Sequence, residues 1–286
     1  MLPARLRRLF SNGQSNDRNE DASTRQPEAL SDGGAFYPSL WDVLKTRYML
    51  QWKAFQQSLP AELVDAIIDA AEYWPSTERR MEGVRRIAND RDQVLLKTIP
   101  LCYDRKRLEQ SEPFKPLPHR TLHPCRKIVF RISSHDQGHG PIRENMYETS
   151  WTWFDTEVIK AAHTRNMYTD GIEQEILDNE RGQEKKHYAP DNDLLLPGNN
   201  RLKVNGSRVS EPQDSVITWH YLDEVQPESE KAYEIERLEG RGRFTLDGHG
   251  VRELEVGDSL ALWARARFPG WSNHVDFASV RVFWAV

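Results

Sequence analysis

The sequence predicts a mainly β fold of the α+β kind: an antiparallel β-sandwich or jelly roll preceded by a small helical hairpin. Three observations lead there. Apolar residues recur every three or four positions up to about residue 90, the period of a helix face. Beyond it, short β-branched and aromatic runs recur, each bounded by Gly, Pro, Asp or Asn. No long helical pattern separates those runs, which argues against a parallel sheet with crossover helices.

Taken in order, the chain divides into a leader (1–35), a helical hairpin (36–90) and a β-sandwich (91–286). Residues 11–35 are polar, balanced in charge and nearly free of large apolar side chains, so the leader is expected to be disordered. Ser39 with Asp42 three positions on is a helix-start signature. Trp41, Leu44, Tyr48, Trp52 and Phe55 then mark one face of a first helix. The second helix, LPAELVDAIIDAAEYW, tolerates Pro60 in its first turn and places Glu62 at the positive end of its dipole. Leu63, Ile67, Ala70 and Trp74 line its face, with Val64, Ile68 and Ala71 beside them, and Pro75 ends it.

Strands are expected in DQVLLKTIPL, KIVFRISS, TSWTWFD, SVITWHY, GRFTLDG, DSLALWARA and FASVRVFWAV. The charge-rich stretches 163–193 and 223–241 read as long loops, the first with a short helix at 172–180.

With 286 residues the chain can bury a substantial core, and 29% charged against 38% hydrophobic residues suits a soluble protein. No apolar run approaches the roughly 20 residues that span a bilayer, so no membrane partner is expected. A net charge of −5 without a basic stripe gives no case for nucleic acid. MLPARLRRLF is basic and amphipathic like a mitochondrial presequence, but Asp17, Glu20 and Asp21 follow closely, so a cytoplasmic or nuclear location is expected instead. Two cysteines, Cys102 and Cys125, form neither a disulfide framework nor a metal-binding spacing.

Chemistry-bearing motifs are sparse. His135 and His139 flank a turn containing Asp136, Gly138 and Gly140, and His119 and His123 lie among prolines. H-E-x-x-H, a nucleophile elbow, a phosphate loop and a dinucleotide glycine pattern are all missing. Accordingly no catalytic residue, no metal and no cofactor are expected, and the reading is non-enzymatic. Tryptophan, by contrast, occurs nine times. Most of those in strands are expected in the core, whereas Trp271, behind the Pro269-Gly270 turn, is expected near the surface. In LALWARARFPGW, Leu260, Leu262 and Ala264 face one way and Trp263, Arg265 and Arg267 the other, the arginines being either solvated or part of a recognition surface. The candidate ligand-binding residues are therefore His135, Asp136, Gln137, His139, Arg267, Trp271, Asn273 and His274.

Two stretches resemble known families. LPAELVDAIIDAA resembles the opening of an F-box, which implies a Skp1-type adaptor as partner, bound through Leu59, Pro60, Leu63, Ile67 and Ile68. AEYW, SHDQG, SWTWFD, the 199–221 stretch and GDSLALWARARFPGW are similar to an uncharacterised family of fungal intracellular proteins, whose members tend to carry Trp after DQG where this chain has His139. The ending also looks similar to F-box-associated and phloem-lectin-type jelly rolls, which finish in a Gly-Trp turn and a last strand. The expected function is a recognition module whose sandwich loops bind a protein or glycan partner. The alternatives are the substrate receptor of an SCF-type ubiquitin ligase and a metal-dependent enzyme built on the His135/His139 turn.

Overall fold

The computed structural model describes residues 34–55, 57–89, 91–109, 114–140, 144–165 and 201–286. Nearly all of the expected leader (residues 1–33) and the short helix expected at 172–180 lie outside the described residues. Those described form two antiparallel sheets and a helical N-terminal part, the mainly β fold expected.

Helix α1 (Leu40–Trp52) opens on a full capping box: the Ser39 backbone N–H donates to Asp42 Oδ2 at 2.9 Å and the Asp42 N–H to Ser39 Oγ at 3.2 Å. Its buried side is not the aromatic one. Val43 is buried, with Leu40, Leu44 and Leu50 packed on the core, while Trp41 is 79% exposed and Tyr48, Trp52 and Phe55 point outward too. The helix carries apolar residues on two sides, and the aliphatic side fits the sandwich. In α2 (Ala61–Ala70) the same shift occurs: Val64 and Ile68 are buried, whereas Leu63 and Ile67 are exposed. Arg120 fastens this hairpin to the sandwich, reaching Asp65 at 3.1 Å and Asp69 at 2.5 Å. Asp69 also accepts the Trp74 indole N–H at 2.7 Å.

The first sheet runs β1 (Ser76–Arg80), β9 (Ser272–Trp284), β4 (Cys125–His135), β7 (Gln213–His220), with β2 (Arg85–Ala88) also paired to β9. The second runs β3 (Gln93–Lys97), β8 (Ser259–Ala266), β5 (Thr152–Ile159), β6 (Arg201–Val204). Long β9 holds the first sheet together, pairing β4 from Cys125↔Trp284 to His135↔His274. One buried cluster joins hairpin and sandwich: Val43, Ile68 and Trp74 belong to it together with Phe130, Phe154, Leu262 and Trp284. Ser76–Arg80 and Arg85–Ala88, grouped by sequence with the hairpin, are thus strands of the first sheet.

Two expectations need correction. GRFTLDG is not a strand: Arg243–Thr245 is a short 3-10 turn, in which the Thr245 N–H and hydroxyl donate to the Gly242 carbonyl at 3.2 and 2.8 Å and the Leu246 N–H to that of Arg243 at 3.3 Å. The 223–241 stretch is not all loop either. Glu230–Glu239 is a helix, capped by Ser229 accepting from the Ala232 N–H at 3.2 Å and stopped by Gly240 at φ 67°.

Candidate functional site: a cleft beside Trp219

A cleft of about 110 Å³ opens at one edge of the sandwich, lined by Thr156 and Val158 of β5, Trp219 of β7, Leu260 of β8 and residues 244–251. Its walls come from both sheets. Trp219 stands opposite Ile128 of β4 and packs edge-on against Phe130, ring centroids 4.8 Å apart. Its indole N–H is buried and meets no acceptor among the described residues.

The 244–251 segment is held down locally. The Arg252 guanidinium donates to the Tyr221 and Asp247 carbonyls at 2.8 Å each and to that of Asp223 at 3.2 Å. Gly248 sits at φ 73°, with backbone oxygens of Asp223 and His220 where a Cβ would be. Gly250 lies flat on the indole, its Cβ position 3.3 Å from the ring. At the rim Val158 and Phe244 remain partly exposed. Next to Phe244, the Arg243 guanidinium lies between two rings, 4.5 Å from the Tyr233 centroid and 4.7 Å from that of Phe244. Glu236 holds it there at 2.8 Å. Aromatic rings and a stacked arginine are the groups that dominate binding energy at protein surfaces.

The residues singled out from sequence gather at a different place, where β4 ends and β9 begins, but most of their polar atoms are spent on the fold. Asp136 is fully buried and accepts three backbone N–H groups: Gly138 at 2.7 Å, Arg208 at 2.7 Å and Val209 at 3.0 Å. Gln137 Oε1 accepts the Ser272 N–H at 3.2 Å. Asn273, also buried, donates to the Trp153 and Arg265 carbonyls at 3.2 and 3.3 Å and accepts from Asn205 Nδ2 at 2.9 Å. Asn205 in turn binds Ser134 Oγ at 2.9 Å and Thr152 Oγ1 at 3.2 Å. This polar chain ties the two sheets together. His135 and His274 stack with centroids 4.7 Å apart, and Trp271 is half-buried, facing Gly140. The crevice below, between His135, Lys203 and Asn205, is too narrow for a water-sized guest.

The arginines of LWARARFPGW are engaged with carboxylates of the sandwich. Arg267 binds Asp92 through both terminal nitrogens, at 2.5 and 2.7 Å, and lies 5.2 Å from the Trp153 ring centroid. Arg265 reaches the same carboxylate at 2.6 Å, pairs with Asp155 and covers Trp263 at 4.9 Å. The turn that follows holds Phe268 at φ 68°, locked by edge-on packing on Trp151 at 4.6 Å.

The Nδ1 atoms of His135 and His139 face the Asp136 and Gln137 carbonyls of their own turn at 2.7 and 3.0 Å. Among the described residues no three His, Cys, Asp or Glu gather as metal ligands. Both cysteines are buried, and burial pushes the Cys125 thiol up to about 12 and Cys102 higher still, so neither is an activated nucleophile.

His274 titrates below its ordinary 6.5, first through burial, then through the neighbouring His135 and Arg86, with Asp276 and Asp136 opposing. A histidine whose folded pKa is lowered binds its proton more readily when unfolded, so its stabilising share is complete above 6.5 and lost as pH falls below it. The urea midpoint is therefore expected to drop between about pH 7.5 and 5.5, and to drop less in His274→Asn.

No family model matches the chain, and neither does any curated protein or solved structure. Among the described residues no helix is long and apolar enough to cross a membrane.

Proposed function

We propose that this protein is a non-catalytic recognition module that holds a short segment of a protein partner in the Trp219 cleft. The observation that carries the reading is the cleft itself: a recess of about 110 Å³ whose walls are more apolar than polar, with a partly exposed apolar rim, next to an aromatic–arginine shelf. An apolar cavity of roughly 150 Å³ accommodates a benzene ring, so this volume suits one aliphatic side chain. Flanking backbone and side chains would then lie across Phe244, Arg243 and Tyr233. Protein is favoured over glycan because Val158, Val251 and Leu260 provide apolar lining, whereas a sugar needs many hydrogen-bonding groups. Among the polar neighbours, the Thr245 hydroxyl is already committed to the Gly242 carbonyl at 2.8 Å.

Selection from a random peptide library displayed on phage tests this reading. The full chain is expected to enrich peptides with a shared aliphatic position, and Phe244→Asp, a rim substitution compatible with folding, to lose them. Enrichment that survives Phe244→Asp, or binding to a glycan array with none to peptides, would overturn it. The adaptor-docking reading loses part of its surface, since Ile68 is 2% exposed and belongs to the same buried cluster as Trp284. Leu63 and Ile67 remain outside, as part of a larger apolar face.

A further inference from the structure

That larger face runs along α1. Trp41, Tyr48, Met49 and Trp52, with Phe55 just past the helix end and Leu63 and Ile67 on α2, are all exposed. At roughly 150–250 Å² per aromatic side chain, the exposed fractions amount to about 800 Å² of apolar surface, the share each partner contributes to a stable interface. Scattered single apolar residues on a surface are ordinary, but a continuous patch of this size is not.

The area and the mixed charge of this face indicate the occupant. Trp41, Tyr48 and Trp52 share the outer face of α1, while Leu44 packs on the core and Phe55 lies just past the helix end. In a two-fold dimer the same patch serves both copies, residue i of one meeting residue j of the other and j meeting i. Antiparallel packing about Tyr48 brings Trp41 of one copy towards Phe55 of the other. It also brings Lys53 of one copy towards Asp42 of the other. The charged rim is balanced, with Asp42 and Glu62 against Lys45 and Lys53. That balance suits a second copy carrying the same mixture better than the chain's own arginine-rich residues 1–10 or an anionic membrane.

We infer that the protein forms a two-fold dimer through the outer face of α1, centred on Tyr48. Sedimentation of the full chain across a concentration series is expected to give twice the 33.3 kDa monomer mass. Trp41→Glu with Trp52→Glu, both at exposed positions, should weaken association on the order of 100-fold or more with unchanged circular dichroism. Because Cys102 and Cys125 are buried, Tyr48→Cys provides a clean probe: two such cysteines on the axis should cross-link under mild oxidation, whereas Leu222→Cys, exposed elsewhere, should not. A monomer at every concentration, a dimer indifferent to the tryptophan changes, or equal cross-linking at both positions overturns the inference. So does a dimer that appears only after residues 1–33 are deleted, or a wild-type monomer that captures a Skp1-type adaptor through this face.

Discussion

Asp136→Ala should cost about 3–5 kcal/mol of folding stability, in the range where a single substitution is exceptional. The carboxylate has no solvent exposure and accepts three backbone N–H groups, from Gly138 in its own turn and from Arg208 and Val209 beyond β6. Each buried donor left without an acceptor costs about 1–3 kcal/mol, and alanine removes the acceptor of all three. Asp136→Asn keeps one oxygen but turns an amide N–H₂ towards a backbone donor, so about 1–3 kcal/mol is expected. Chemical unfolding of both variants checks the order. If alanine and asparagine are equally harmless, the turn does not depend on this carboxylate, and a ligand-binding role for Asp136 regains its ground.

Asp92→Ala is the second large effect, again about 3–5 kcal/mol, the usual cost of removing one partner from a buried ion pair. Arg267 is nearly buried and spends both terminal nitrogens on this carboxylate; Arg265 shares it and keeps Asp155 as a second partner. The asymmetry gives a sharper test. Truncating Arg267 should couple more strongly to Asp92 in a double-mutant cycle than truncating Arg265 does. Equal coupling would mean that Asp155 contributes nothing to holding Arg265. Because the two guanidinium groups cover Trp153 and Trp263, both changes should also alter tryptophan fluorescence.

These two cases show why the fold was more legible than the site. β4 and β8 could be read because alternation or a β-branched run persists over many residues, and α1 because Ser39 and Asp42 mark its start. β1, spelled STERR, has no apolar pattern at all; its backbone pairing to β9 makes it a strand. The helix Glu230–Glu239 carries ordinary start and stop signals in Ser229 and Gly240, but its charge-rich sequence offers almost no apolar face, with Ala232 its buried residue. Which of two apolar faces on α1 turns inward depends on the shape of the sandwich beneath, not on α1 itself. Arg267 could not be assigned its role because Asp92 lies 175 positions away. The cleft is hidden for the same reason: its walls come from β5, β7, β8 and the 244–251 segment. The expected site residues do converge at one end, but convergence alone does not distinguish a binding surface from a fully satisfied polar knot.

The central claim is that recognition takes place in the Trp219 cleft and not at the Trp271 turn. Titrating a library-selected peptide into isotopically labelled protein, with indole N–H signals assigned through single Trp→Phe variants, decides between them. The cleft account predicts that the Trp219 indole signal shifts in proportion to occupancy while Trp271 stays in place. A shift of Trp271 with Trp219 unmoved would contradict it and return the binding surface to the turn between β8 and β9.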